Sequence, residues 1–222
     1  MFREALGDVL ALVFPVACAG CGAWDVSLCT GCREELTGDP VSRRIADVPV
    51  WSALLFEGVA ARVIRTLKED GRTALARPLA TAATGAIERV RAHSPADTLF
   101  VPVPSSRSAF RRRGFRPVEL LMARASLPVS RSLRLTRMTA DQRRLDVHAR
   151  AANVSGAFHA SRVAGRDVIV VDDVVTTGAT LDEAITALRV AGATVRGAVT
   201  VAATPRRAVH SGSESDASGI PA

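Results

Sequence analysis

Apolar positions along this 222-residue chain fall into two kinds of run, one short and continuous, the other recurring every three or four residues. Continuous runs bounded by turn residues predict buried strands, and the spaced runs predict amphipathic helices. Strands are expected at Trp51–Phe56, at Asp97–Pro104 where Pro104 ends the run, at Leu133 and Leu135, at 168–172, and at Thr194–Ala203. Helices are expected at residues 4–14, after Glu57-Gly58 through Ile64 and Leu67, from about Thr73 to Ala92, over Val118–Ala125, and at 180–191. Residues 137–158 read as a long charged loop with one helical turn. Alternation of strands and helices predicts an α/β fold, a parallel sheet with helices on both faces. The expected division is 1–36 for an N-terminal helix and cysteine knuckle, 37–50 for a linker, 51–204 for the main domain, and 205–222 for a Ser- and Gly-rich disordered tail.

The strand at Val168-Ile169-Val170-Val171 carries Asp172 and Asp173 at its carboxyl end, and Val174-Val175-Thr176-Thr177-Gly178-Ala179-Thr180 then opens a helix. Unpaired N–H groups at a helix N-terminus, reinforced by the helix dipole, suit Thr176 to Thr180 to a phosphate monoester. Gly178 lets the backbone approach closely. The two carboxylates can accept hydrogen bonds from ribose hydroxyls. An ordinary buried strand with an N-capped helix and solvated acids would show some of these features, but not all of them in this order. The segment resembles the signature of the type I phosphoribosyltransferases, whose substrate is phosphoribosyl pyrophosphate (PRPP) with magnesium.

Composition adds anionic ligands to this picture. The formal charge is +7, and Lys68 is the only lysine among 29 basic residues. Arginine grips phosphate bidentately, which favours phosphorylated metabolites or nucleic acid, although genomic base composition also enriches arginine and alanine. No apolar run is long enough for a membrane span; the best, Val9 to Ala17, contains Pro15. Glu4 and Asp8 interrupt any secretory signal, and Pro15 disfavours a lipoprotein site at Cys18. The expectation is a cytoplasmic protein without membrane insertion. His93, His148, His159 and His210 show no paired spacing and read as ordinary surface residues.

All four cysteines fall within one short stretch, as Cys18-Ala19-Gly20-Cys21 and Cys29-Thr30-Gly31-Cys32. Paired C-x2-C motifs present four thiolates to one tetrahedral centre, and zinc is the favoured metal; disulfides are the alternative for a secreted chain. Four cysteines close the coordination shell, so the metal is expected to be structural.

After the strand ending at Val103, Pro104-Ser105-Ser106-Arg107 offers small residues and one cation to an anion, although a solvated basic turn reads similarly. With the knuckle, the Lys68 region Thr66-Leu67-Lys68-Glu69-Asp70-Gly71, Val101-Pro102-Val103-Pro104, Arg113-Gly114-Phe115, and Thr139, Gln142, Leu145, Arg150, Asn153 and Gly156-Ala157-Phe158, the chain is similar to the ComF-type proteins. These are a branch of the phosphoribosyltransferase fold named for DNA uptake in competent bacteria. The family usually follows Arg-Gly-Phe with Asn-Gln, where this chain has Arg116-Pro117.

The resemblance implies a type I phosphoribosyltransferase-like parallel sheet flanked by helices, with a small zinc-binding knuckle. It implies that Asp172 and Asp173 position the ribose, that Thr176, Thr177, Gly178, Ala179 and Thr180 bind the 5′-phosphate, and that Ser105, Ser106 and Arg107 with Arg150 meet the pyrophosphate, with 137–158 closing as a lid. The expected activity is transfer of the phosphoribosyl group from PRPP and magnesium to an unidentified acceptor. Purine-salvage relatives place a base-contacting acid where this chain has Thr176, so a purine acceptor is not supported. The rival reading is a non-catalytic protein that binds PRPP or single-stranded DNA and works with competence proteins. The Arg111-Arg112-Arg113 cluster supports it, and the scarcity of aromatic residues to stack bases speaks against it. A regulatory role finds no helix-turn-helix signature to support it.

Overall fold

The computed structural model describes residues 16–136 and 157–205. The expected helix at 4–14, most of the 137–158 loop including Arg150, and all but the first residue of the tail lie outside these residues. A short helix α1 (Thr30–Glu34) closes the cysteine segment, and a hairpin of β1 (Val41–Ile45) and β2 (Val48–Leu55) follows. Next come α2 (Gly58–Glu69), a 3-10 turn at Thr73–Leu75, α3 (Ala76–Ala82) and α4 (Thr84–Arg91). After β3 (Leu99–Pro102), α5 (Arg107–Arg113) and α6 (Pro117–Arg124), the chain forms a small antiparallel pair, β4 (Leu133–Leu135) with β5 (Phe158–Ala160). It ends in β6 (Asp167–Val175), α7 (Ala179–Val190) and β7 (Thr194–Ala203).

The main sheet has the order β1-β2-β7-β6-β3. Its last four strands are parallel, and β1 adds an antiparallel edge. Parallel strands covered on both faces are apolar throughout. Residues 168–171 of β6 and 197–203 of β7 are accordingly buried without a break. One face packs on α2, α3, α4 and α6 through Val63, Ile64, Leu67, Leu79, Ile87 and Met122. The other packs on α7 and the small pair through Leu181, Ile185, Leu188, Leu133 and Ala160.

Three elements differ from expectation. Residues 37–50, expected as a linker, carry β1 and the start of β2; arginines disguise the alternation in β1, and β7 pairs with β2 only from Val50, so Pro49 costs that ladder no bond. The turn between these strands holds Ala46 and Asp47 at φ 48° and 61°, the geometry of a two-residue hairpin whose twist matches its strands. The helix expected over 73–92 is broken at Ala83, just before the poor helix formers Thr84 and Gly85. Arg107 to Arg113, expected as loop, form α5. Ser106 caps its start by accepting from the Ala109 N–H at 3.1 Å, and Gly114 ends it at φ 76°.

Gly197 in β7 faces Val90 of α4, and a Cβ there would overlap the valine methyl. Gly197→Ala should therefore cost about 1–3 kcal/mol, the usual range for overpacking, measured by urea unfolding, and Val90→Ala in the same chain should recover part of it.

Candidate functional site

The carboxyl ends of β3 and β6 lie side by side, because these strands pair in parallel from Leu99↔Val168 to Pro102↔Val171 and the Val103 N–H continues the ladder to the Val171 carbonyl at 2.8 Å. Residues just beyond adjacent parallel strands share one crevice. Ser105, Ser106 and Arg107 therefore follow β3 at the same end of the sheet at which β6 carries Asp172 and Asp173 and leads into the 176–180 turn. Ser106 and Arg107 are exposed, and the Ser106 hydroxyl is already engaged as the α5 cap. Thr176, Thr177, Ala179 and Thr180 are exposed, whereas Gly178 is buried.

No side chain caps α7. Its N-cap is Gly178, at φ 96°. The one local contact to its first amides, from the Ala179 N–H to Thr177 Oγ1, is long at 3.4 Å. The Thr176 carbonyl accepts from Arg43 of β1 at 3.0 Å and from the Thr204 hydroxyl at 3.3 Å. A carbonyl held by these donors leaves the turn presenting N–H and hydroxyl groups, an arrangement able to receive an anion. The close approach at Gly178 is made by the protein itself: a Cβ there would lie 2.6 Å from Ile45 Cδ1.

The two acids differ in their surroundings. Asp173 forms an ion pair with Lys68, in the last turn of α2, at 3.0 Å, with both side chains largely buried. Asp172 is half-buried and accepts from the Asp173 N–H at 2.8 Å. Burial, and then the neighbouring Asp173 charge, push the Asp172 carboxyl up to about 8, against the smaller opposing effects of that N–H and Lys68. Across the sheet, Asp172 is in register with Thr200 and Thr200 with Ser52, whose hydroxyls meet at 2.6 Å in the core. Sequence reasoning missed three participants: Arg43, hidden in the supposed linker, the Ser52–Thr200 pair, and Lys68 as the partner of Asp173. Lys68 had a signal in being the only lysine of an arginine-rich chain.

The four cysteines do converge. Their sulfurs all lie within 4.8 Å of one another, Cys21 and Cys29 at 3.7 Å, and none is in a disulfide. A tetrahedral zinc with bonds of about 2.3 Å separates its sulfurs by about 3.8 Å, so the donor set and spacing fit that metal. Burial raises the Cys18 thiol, but the N–H groups of Cys29, Cys21 and Gly20 outweigh it and bring it down to about 6. Burial and then the neighbouring thiols hold Cys32 well above the usual range. Gly20 is required here, since a Cβ would lie 2.5 Å from Cys32 Sγ. The knuckle is fused to the main core: Cys18, Cys32 and Leu36 share a cluster with Val59, Val63 and Leu67 of α2. Arg62 donates to the Gly20 carbonyl, and Arg72 to Ala17 at 2.7 Å and Ser27 at 2.9 Å.

The phosphoribosyl transferase domain family matches residues 111–216. DNA utilization protein YhgH of Escherichia coli O157:H7 is 31% identical over 182 residues, covering 75% of this chain and 79% of the relative. The protein of the same name from Shigella flexneri is 31% identical over 186 residues with the same coverage, and that of Escherichia coli K12 is 29% identical over 184. Fold, cysteine cluster and these relatives agree. The chain belongs to the ComF family. The ComF resemblance at Lys68 thus coincides with an ion pair to the second acid of the motif. Among the described residues, no helix is long and apolar enough to cross a membrane.

Two outcomes follow from this geometry. Stripping metal with a chelator should speed amide exchange through α2, residues 58–69, measured by hydrogen–deuterium exchange, while α7 keeps its protection. Gly178→Ala should destabilise the fold by about 1–3 kcal/mol in urea, and adding Ile45→Val, which removes the clashing methyl, should recover only the steric share because the positive φ persists.

Proposed function

We propose that this ComF protein binds PRPP with magnesium and transfers the phosphoribosyl group to an unidentified acceptor. The observation that carries this reading is the uncapped, hydroxyl-lined N-terminus of α7 standing directly after a half-buried acid pair that holds the chain's one lysine. Amides and hydroxyls from Thr176 to Thr180 receive the 5′-phosphate. Asp173, oriented by Lys68, accepts from a ribose hydroxyl, and Asp172 stands beside it against the same sugar. Ser105, Ser106 and Arg107 hold the departing pyrophosphate, with Arg150 as the fourth group expected there. Magnesium bound with PRPP supplies the charge neutralisation that lets pyrophosphate leave. Structural zinc in the knuckle holds Cys18, Cys21, Cys29 and Cys32 together and steadies α2.

A second reading is single-stranded DNA binding in DNA uptake. It is favoured by α5, a helix with no buried residue that carries Arg107, Arg111, Arg112 and Arg113, and by the likeness to relatives named DNA utilization proteins. Calorimetry with PRPP and magnesium separates the two. Wild type should bind, and the Asp172→Ala/Asp173→Ala chain should lose about 10- to 100-fold in affinity, as expected for hydrogen bonds to charged groups. Equal heats from both would refute the site. Pyrophosphate release against a panel of amines and bases tests turnover, and a salt titration of oligonucleotide binding should be steep if the α5 arginines neutralise phosphates.

A further inference from the structure

Among the described residues, two adjacent acids share one cation. Lys68 is bound to Asp173 at 3.0 Å, and the only hydrogen bond to the Asp172 carboxylate among the described residues comes from the Asp173 N–H. Asp172 also borders a small cavity of about 20 Å³. The groups facing that cavity from α3, α4 and α6, and from Leu127 just beyond α6, are Ala80, Ala83, Ile87, Leu121, Met122, Ala125 and Leu127, and β7 adds Val199 and Val201. None of these titrates. The strand neighbour in register is Thr200, also uncharged. Among the described residues, the ionisable groups acting on Asp172 are therefore Asp173, which opposes its charge, and Lys68, which already serves Asp173.

We propose that the two acids of the motif are chemically distinct: Asp173 is the charged acceptor, and Asp172 is a neutral carboxylic acid that donates a hydrogen bond to a ribose oxygen of the bound sugar phosphate. This deepens the PRPP reading and rests on it for the identity of the ligand. A carboxylate with few hydrogen bonds beside a like charge and an apolar wall binds its proton more tightly. The acid pair then carries one negative charge, which Lys68 balances. A site without net charge at its floor suits a polyanion, whereas a second ionised acid would repel it. The proton stays on Asp172 throughout binding, so no bond to hydrogen breaks and no proton acceptor is needed.

The sign of the pH dependence follows. Below about pH 8 Asp172 is protonated and the donor is present; as pH rises through that value it ionises, and affinity for the polyanion falls. Calorimetry with PRPP and magnesium from pH 7 to 9.5 should show wild-type affinity falling by about tenfold per unit above pH 8, the limit for one linked proton. Asp172→Asn, which keeps a donor and cannot ionise, should flatten the profile whatever its absolute affinity. A flat wild-type profile, or the same slope in Asp172→Asn, would overturn the proposal. Infrared spectroscopy of the protein without PRPP decides the protonation state independently. A protonated-carboxyl band present at pH 7, lost on raising the pH through 8 and missing from Asp172→Asn, is the expected result, and its absence at pH 7 sinks the proposal. If PRPP gives no heat at any pH, the ligand reading fails while the infrared band still decides the state of Asp172.

Discussion

The ion pair between Lys68 and Asp173 joins parts of the molecule that are far apart in the chain. Lys68 lies in the last turn of α2, which packs both on the sheet and on the cysteine knuckle, and Asp173 lies in a central parallel strand. A largely buried pair of this kind gains little net energy against two apolar residues, because desolvation consumes most of the attraction. Removing one partner is a different matter. Without Lys68, the half-buried acid pair would have no cation against it among the described residues, so the position of α2 sets the electrostatics of the pair.

Seen from the knuckle, the same linkage runs the other way. Four thiols gathered within 4.8 Å are mutually repulsive once ionised, and a metal that neutralised them would hold Cys18 and Cys32 in the cluster they share with Val59. Arg62 and Arg72 add charge-assisted bonds from α2 and the turn after it to knuckle carbonyls. The knuckle therefore acts as a buttress for α2 within the main core, and the expected boundary near residue 36 is one of sequence more than of packing.

Much of the α/β order was legible because it is written in side-chain pattern. The run Val168 to Val171 leaves no reading except a buried strand, and the glycine and threonines after the acids mark the helix start. What escaped was structure made by backbone geometry. β1 alternates weakly and carries Arg43 and Arg44 between Pro40 and Pro49, so it reads as linker; its strand character comes from pairing with β2 and from the Ala46-Asp47 turn, whose carbonyls accept from Arg189 and Arg44. α5 has no apolar period because it buries nothing, and it is defined by its ends, Ser106 and Gly114. The partnership of Lys68 with Asp173 spans 105 positions, a pairing that no local pattern encodes.

Two helices begin just beyond adjacent parallel strands, yet only one leaves its amides open. Ser106 turns its hydroxyl back onto the Ala109 N–H and satisfies α5 internally. At the equivalent place on α7, serine or asparagine would do the same, and neither fits: φ 96° penalises any side chain, and Ile45 occupies the space a Cβ would need. Glycine is therefore enforced by packing against β1, and the open amides are its consequence. The hairpin that reads as a linker thus helps create the anion-binding turn, through Ile45 at Gly178 and through Arg43 at the Thr176 carbonyl.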